Sequence, residues 1–177
     1  MKNLIILLCL FFVSNSNAQE EYQAPRLHKT AIGKSGCYAY MPQGEIEFDL
    51  AYSPDSSTVY TGEITEGDFN YGIIVIKMKE TVLATTEDRI NMVESYLDYL
   101  KEQFAITDAA GYGEGHTMEN YPDAVGVIDY WIDEDKDTWQ IKGWVDSNTI
   151  GILMIYGPTE YPNFNVQQMY LDGFRFN

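Results

Sequence analysis

The sequence predicts an α+β fold: a mostly antiparallel β-sheet sandwiched between helices, an α/β/α sandwich. Three observations predict it. The run YGIIVIKM, inside a predicted strand over residues 69–78, is apolar on both faces, as suits a central strand covered above and below. A three-strand meander over residues 125–156 is also apolar on both faces. Between them the hydrophobic period lengthens, and Ile90, Val93, Leu97, Leu100 and Phe104 form one face of a long helix.

Taken in order, residues 37–41 form a first strand, ended by Pro42. Residues 45–52 alternate, with Ile46, Phe48, Leu50 and Tyr52 on one side and Glu45, Glu47 and Asp49 on the other. Ser53-Pro54-Asp55-Ser56 is a turn into a strand over 58–64, and Glu66-Gly67-Asp68 a turn into the apolar strand over 69–78. Thr85 or Thr86 caps the long helix, with Glu87 and Asp88 in its first turn, and it ends near Phe104. A glycine-rich loop, residues 109–124, follows. Strands over 125–133 and 138–146 then form a hairpin. Closing it on a turn at 134–137 sets Ile132 opposite Trp139, Tyr130 opposite Ile141, Trp131 opposite Gln140, and Asp129 opposite Lys142 as a cross-strand ion pair. Ser147-Asn148 turns into a strand over 150–156, which sets Val145 on Ile150, Ile141 on Met154 and Trp139 on Tyr156. A second helix over 163–171, stopped by Gly173, covers the other sheet face, and residues 174–176 make a short last strand.

Residues 1–18 read as a secretory signal peptide: Lys2, an apolar run over 4–13, and small residues at Ser16 and Ala18 before a cleavage point between Ala18 and Gln19. Cys9 lies within the apolar run behind Leu8, which does not suit lipid modification. The chain is expected to be exported, to a periplasm or beyond. Residues 19–35 read as a polar leader, and residues 36–177 as one domain. No second long apolar segment follows, so no membrane span is expected. Hydrophobic residues make up 45% of the chain, an ordinary share for a folded domain and too high for global disorder. A formal net charge of −16 argues against nucleic acid, whose phosphates need an excess of Lys and Arg. Once Cys9 is removed, Cys37 has no partner for an internal disulfide and reads as a small buried hydrophobe.

The segments CYAYMP (37–42), YGIIVIKM (71–78), GVIDYWID (126–133) and YLDGFRF (170–176), in this order around one long helix, resemble the PsbP-like fold family. That family includes the photosystem II PsbP subunit, Ran-binding Mog proteins and exported bacterial members. The resemblance covers residues 36–176. Gly173 stands where the family usually has serine, and no tryptophan follows Pro42. The resemblance implies an exported, non-catalytic binding or assembly domain whose partner is a protein or another envelope component.

The candidate sites are few. Asp133, Asp135 and Asp137 have the spacing of a calcium-loop start, but Lys136 intrudes, the sixth position lacks glycine and the twelfth is Trp144 rather than glutamate. They read as a charged hairpin tip, with cation binding as the alternative. Trp131 and Trp144 offer an alternative carbohydrate-binding platform if they share an open sheet face, against burial under the second helix. Gly111-Tyr112-Gly113-Glu114-Gly115 follows a helix and lacks the lysine of a nucleotide loop, so it reads as a connector. Of the two histidines, His28 sits in the leader and His116 beside Glu114 and Glu119. No zinc motif and no nucleophile elbow accompanies them, so no metal, cofactor or catalytic centre is expected. The 109–124 loop is expected to be a binding rim with Tyr112, His116 and Tyr121 as contacts. A hydrolase using that loop is the third reading.

Overall fold

The computed structural model describes residues 23–79 and 82–177. The expected signal peptide, residues 1–18, and the expected cleavage point lie outside the described residues. The described chain forms β1 (Leu27–Ala31), β2 (Tyr38–Pro42), β3 (Asp49–Tyr52), β4 (Thr58–Glu66), β5 (Phe69–Lys77), α1 (Thr86–Gln103), β6 (Ile106–Ala109), β7 (Gly113–Met118), β8 (Tyr121–Asp133), β9 (Thr138–Val145), β10 (Thr149–Gly157) and α2 (Phe164–Leu171). β1 and β2 make a separate hairpin. The rest form one eight-stranded antiparallel sheet in the order β3-β4-β5-β10-β9-β8-β6, with β7 also paired to β8.

The expected α/β/α sandwich is not what the chain forms. The described residues are mostly β, at 48% strand against 17% helix, with two helices that cannot make two layers. The physical reason is length. α2 has eight residues, so it spans ~12 Å, whereas a sheet of this many strands is ~35 Å wide at ~4.8 Å per strand. The face expected to lie under α2 is closed mainly by other means. Ile32, Ala39 and Met41 from the β1–β2 hairpin, Tyr170 and Leu171 of α2, and Phe174 and Phe176 pack on Tyr71, Ile73, Trp144 and Leu153. The leader therefore belongs partly to the fold, because Leu27–Ala31 pairs with Tyr38–Pro42 along its whole length. The last segment makes a single bridge, Arg175 to Tyr38, in place of a strand.

The opposite face carries α1. Its N-terminus is closed by a reciprocal capping box: Asp88 N–H donates to Thr85 Oγ1 at 3.0 Å, and Thr85 N–H donates to Asp88 Oδ2 at 3.0 Å. Those hydrogen bonds to Thr85 hold the Asp88 carboxyl below its usual range. Val93, Leu97 and Leu100 press against Ile74, Val127, Trp131, Ile141 and Ile152. The connector from β5 to α1 is stitched to the β9–β10 turn, with Met78 N–H donating to Asn148 O at 2.9 Å and Leu83 N–H to Ser147 O at 2.7 Å. Fully apolar strands in the sheet centre are thus covered on both sides, as their two-faced hydrophobicity requires.

The β9–β10 register is the one the pattern predicts. The β8–β9 register is not: Trp131 lies opposite Trp139 and Asp129 opposite Ile141, one residue from expectation. The cause is the turn. Asp133 N–H donates to Asp137 O at 3.3 Å, leaving a three-residue loop whose last member, Lys136, has φ 72°. Such loops close with a left-handed residue that is usually glycine, and lysine there conceals the signal. A one-residue slip exchanges faces, so Asp129 joins Trp131 and Trp139 under α1 while Lys142 points the other way. The expected Asp129–Lys142 ion pair does not form.

Two glycines mark where the layers come closest. A Cβ on Gly143 would lie 2.2 Å from Val93 Cγ2, and one on Gly151 would lie 2.4 Å from the Phe174 ring on the other face. Gly143→Ala is therefore expected to lift α1 off β9 and to cost about 1–3 kcal/mol, as overpacking does. Urea denaturation measures it, and an unchanged midpoint would disprove the close approach.

Candidate functional site

The residues expected to form one binding rim occupy separate places. The 109–124 segment is mostly strand, because β7 and the first turn of β8 pair across it with two register shifts. Gly111 and Gly115, at φ 97° and 86°, supply left-handed positions in this stretch. Tyr112 belongs to the α1 face. Its hydroxyl donates to Asp98 Oδ1 at 2.5 Å and accepts from Lys101 Nζ at 3.0 Å. Burial, with the Asp98 carboxylate beside it, pushes this phenol up to about 12.

His116 and Tyr121 lie on the opposite face. Tyr121 OH donates to Phe176 O at 2.7 Å and its ring meets Phe176 edge-on. His116 Nδ1 is 3.0 Å from Lys142 Nζ, which donates to Asp172 Oδ1 at 2.5 Å and stands 4.5 Å from the centre of the Trp144 ring. Lys142 is 2% exposed, and these groups border a small cavity of about 240 Å³ shared with Glu119 and Arg175. Burial first, and the Lys142 charge second, hold the His116 imidazole below its usual value, while Asp172 opposes them.

The acidic tip is largely committed to the hairpin. Asp133 Oδ1 accepts from Asp137 N–H at 2.9 Å and Oδ2 from Trp139 Nε1 at 2.8 Å. Burial, then Asp133 and Asp135, raise the Asp137 carboxyl. Trp131 and Trp144 do not share a platform: they belong to the cores on opposite sheet faces, at 1% and 2% exposure. Their indoles are occupied, Trp131 Nε1 donating to Asp129 Oδ2 at 2.7 Å and Trp144 Nε1 to Leu171 O at 2.8 Å. Cys37 is buried, and burial pushes its thiol up. His28 is exposed on β1, paired with Met41.

A different site emerges where the short α2 leaves the sheet open. A groove of about 730 Å³ runs between the segment after β10 and the β6–β8 edge. Tyr130, Ile132 and Gln140 come from β8 and β9, and Tyr161, Phe164 and Gln167 from the segment opposite. Tyr130 is 48% and Phe164 68% exposed. Its wall is held in place, since Thr138 Oγ1 donates to Thr159 O at 2.7 Å and Tyr71 and Tyr161 share a hydroxyl–hydroxyl hydrogen bond. Its only charged lining residues among those described are Asp108 and Glu160, both exposed. Gln140, 5% exposed, lines it with an amide Oε1 that has no hydrogen-bond partner. That oxygen is itself enclosed, and a buried unpaired carbonyl costs about 1–3 kcal/mol. Sequence reading missed this site because Tyr130 and Gln140 look like ordinary strand residues. Only the eight-residue length of the second helix signalled an uncovered face.

The fold and the groove define a mostly-β protein with one partly open sheet face. No protein-family model matches the chain, and no curated protein matches it. Among the described residues no helix is long and apolar enough to cross a membrane.

Two outcomes are expected. Asp129→Ala leaves the Lys101 ammonium and the Trp131 N–H without their buried acceptor and is expected to cost about 3–5 kcal/mol in denaturant; a loss near zero would remove the carboxylate from the core's support. His116, with its folded value depressed, contributes stability that is present above the unfolded pKa of about 6.5 and is lost as pH falls through the folded value. His116→Gln should flatten the stability–pH curve on the acid side of about pH 6.5, and an unaltered slope would show that His116 does not titrate in this setting.

Proposed function

We propose that this chain is an exported, non-catalytic binding domain whose ligand seats in the groove over β8 and β9. The observation that carries the reading is the presence of two exposed aromatic side chains, Tyr130 and Phe164, in the lining of one concave site of about 730 Å³. Sites of this size, apolar with a few placed polar groups, are the usual form of a small-ligand pocket. Among the described residues the lining contains no histidine, cysteine, serine or lysine, which favours binding over nucleophilic or imidazole catalysis. The likeness of four core segments to PsbP-like proteins supports the same side, because members of that family mostly bind or assemble. Export rests on the character of residues 1–18.

Amide chemical-shift mapping of the folded chain against a panel of fragments, sugars and short peptides tests the reading. Perturbations are expected to cluster at Tyr130, Ile132, Gln140 and Phe164. The Tyr130→Ala/Phe164→Ala double variant is expected to weaken binding about tenfold or more, at about 0.5–1.5 kcal/mol for each aromatic contact. Ligands that map only elsewhere, or turnover of any panel member, would defeat it.

A further inference from the structure

We infer that the groove takes a small organic cation, an ammonium or guanidinium group on an apolar stem. This rests on the groove being the binding site. The first argument is charge. Asp108 and Glu160 are its charged lining residues, and neither carries an ion pair among the described residues. With no Lys, Arg or His in the lining among the described residues, an anionic ligand would meet repulsion, and the chain's net charge of −16 concentrates cations around it. The second argument is the walls. Tyr130 and Phe164, 48% and 68% exposed, offer aromatic faces that attract an ammonium or guanidinium through the ring quadrupole.

The third argument is that this protein already builds the same kind of seat for its own ammonium groups. Lys101 Nζ lies 4.2 Å from the Tyr112 ring centre and 5.7 Å from that of Trp131, with Asp129 at 3.0 Å and Asp98 at 3.4 Å. Lys142 Nζ lies 4.5 Å from the Trp144 ring centre with Asp172 at 2.5 Å. Each seat combines an aromatic face, which attracts cations through its quadrupole, with a carboxylate. The groove lining brings the same residue types together in Tyr130, Phe164, Asp108 and Glu160, and among the described residues no lysine or arginine lines it. Its volume of about 730 Å³ exceeds a single side chain and suits a complete small molecule. A neutral sugar would use the same rings and acceptors but would leave both carboxylates without a counter-charge.

The test titrates the full folded chain with 4-phenylbutylamine, the neutral 4-phenylbutanol, the anionic 4-phenylbutyrate, a neutral disaccharide and a lysine-bearing peptide, following heat and amide shifts. The amine is expected to bind about tenfold more tightly than the alcohol, and the acid not measurably. That preference should shrink as salt rises from about 20 to about 500 mM. It should also vanish in Asp108→Asn/Glu160→Gln, which changes only exposed groups and should leave alcohol binding intact. Equal binding of amine and alcohol in the groove, or preference for the disaccharide, overturns the cation inference and leaves the groove as the site. Binding of the peptide without the free amine overturns the small-molecule assignment. If no probe perturbs the groove, the cation inference falls, and mapping of any bound probe to another surface takes the groove reading with it.

Discussion

The buried carboxylate of Asp129 is the constraint on which the rest of this structure depends. It is 0% exposed and accepts four donors: Gly111 N–H at 2.9 Å, Tyr130 N–H at 2.8 Å, Trp131 Nε1 at 2.7 Å and Lys101 Nζ at 3.0 Å. A charge removed from water is tolerated only when it is paired and its lone pairs are used. Meeting that condition brings together the last turn of α1, the chain between β6 and β7, and the middle of β8. It therefore determines which face of the sheet α1 covers. Because side chains alternate along a strand, turning Asp129 and Trp131 toward α1 turns Tyr130 and Ile132 outward. The groove's inner wall follows from the ion pair behind it.

The second determinant is unequal coverage. α1, with 18 residues, reaches across several strands, and the aromatic stack of Phe104, Trp139 and Tyr156 extends that cover beyond its end. On the other face the β1–β2 hairpin, α2 and the C-terminal aromatics protect β5, β10 and the near half of β8 and β9. The far half receives only the edge of α2 and the segment before it. Burial there is incomplete for a geometric reason, and Phe164 stays 68% exposed. An uncovered apolar surface in a concave site is uncommon on a folded domain.

The protein's few basic residues behave consistently within this frame. Lys101 and Lys142 are each drawn off the surface into an aromatic and carboxylate setting, and Lys29 lies 3.7 Å from the centre of the Tyr38 ring. An acidic chain has surplus carboxylates, so Lys101 and Lys142 each find a counter-charge even where the register differs from the simplest pairing. The two lysines nearest the meander neutralise partners from other elements, an arrangement that ties layers together rather than adjacent strands.

The sequence by itself determined the local order. The apolar runs specified β5 and β10 as central strands, the switch in period specified α1, and Thr85 or Thr86 ahead of Glu87 and Asp88 placed its start to within a residue, because these depend on neighbours within a few residues. The β9–β10 register was legible for the same reason, since a short polar turn joins two apolar patterns. Tertiary structure decided the rest. The β8–β9 register turned on a left-handed Lys136 that composition does not reveal, and one residue of slip moved Asp129 away from Lys142 and put Trp131 and Trp144 on opposite faces. β1, β6 and β7 are held by pairing with β2 and β8, so their own short, mostly polar sequences, LHKTA, ITDA and GEGHTM, carry little period. The site was hidden most completely: whether Tyr130 and Gln140 are covered depends on how far an eight-residue helix reaches across a wide sheet, a distance that exists only once the chain is folded.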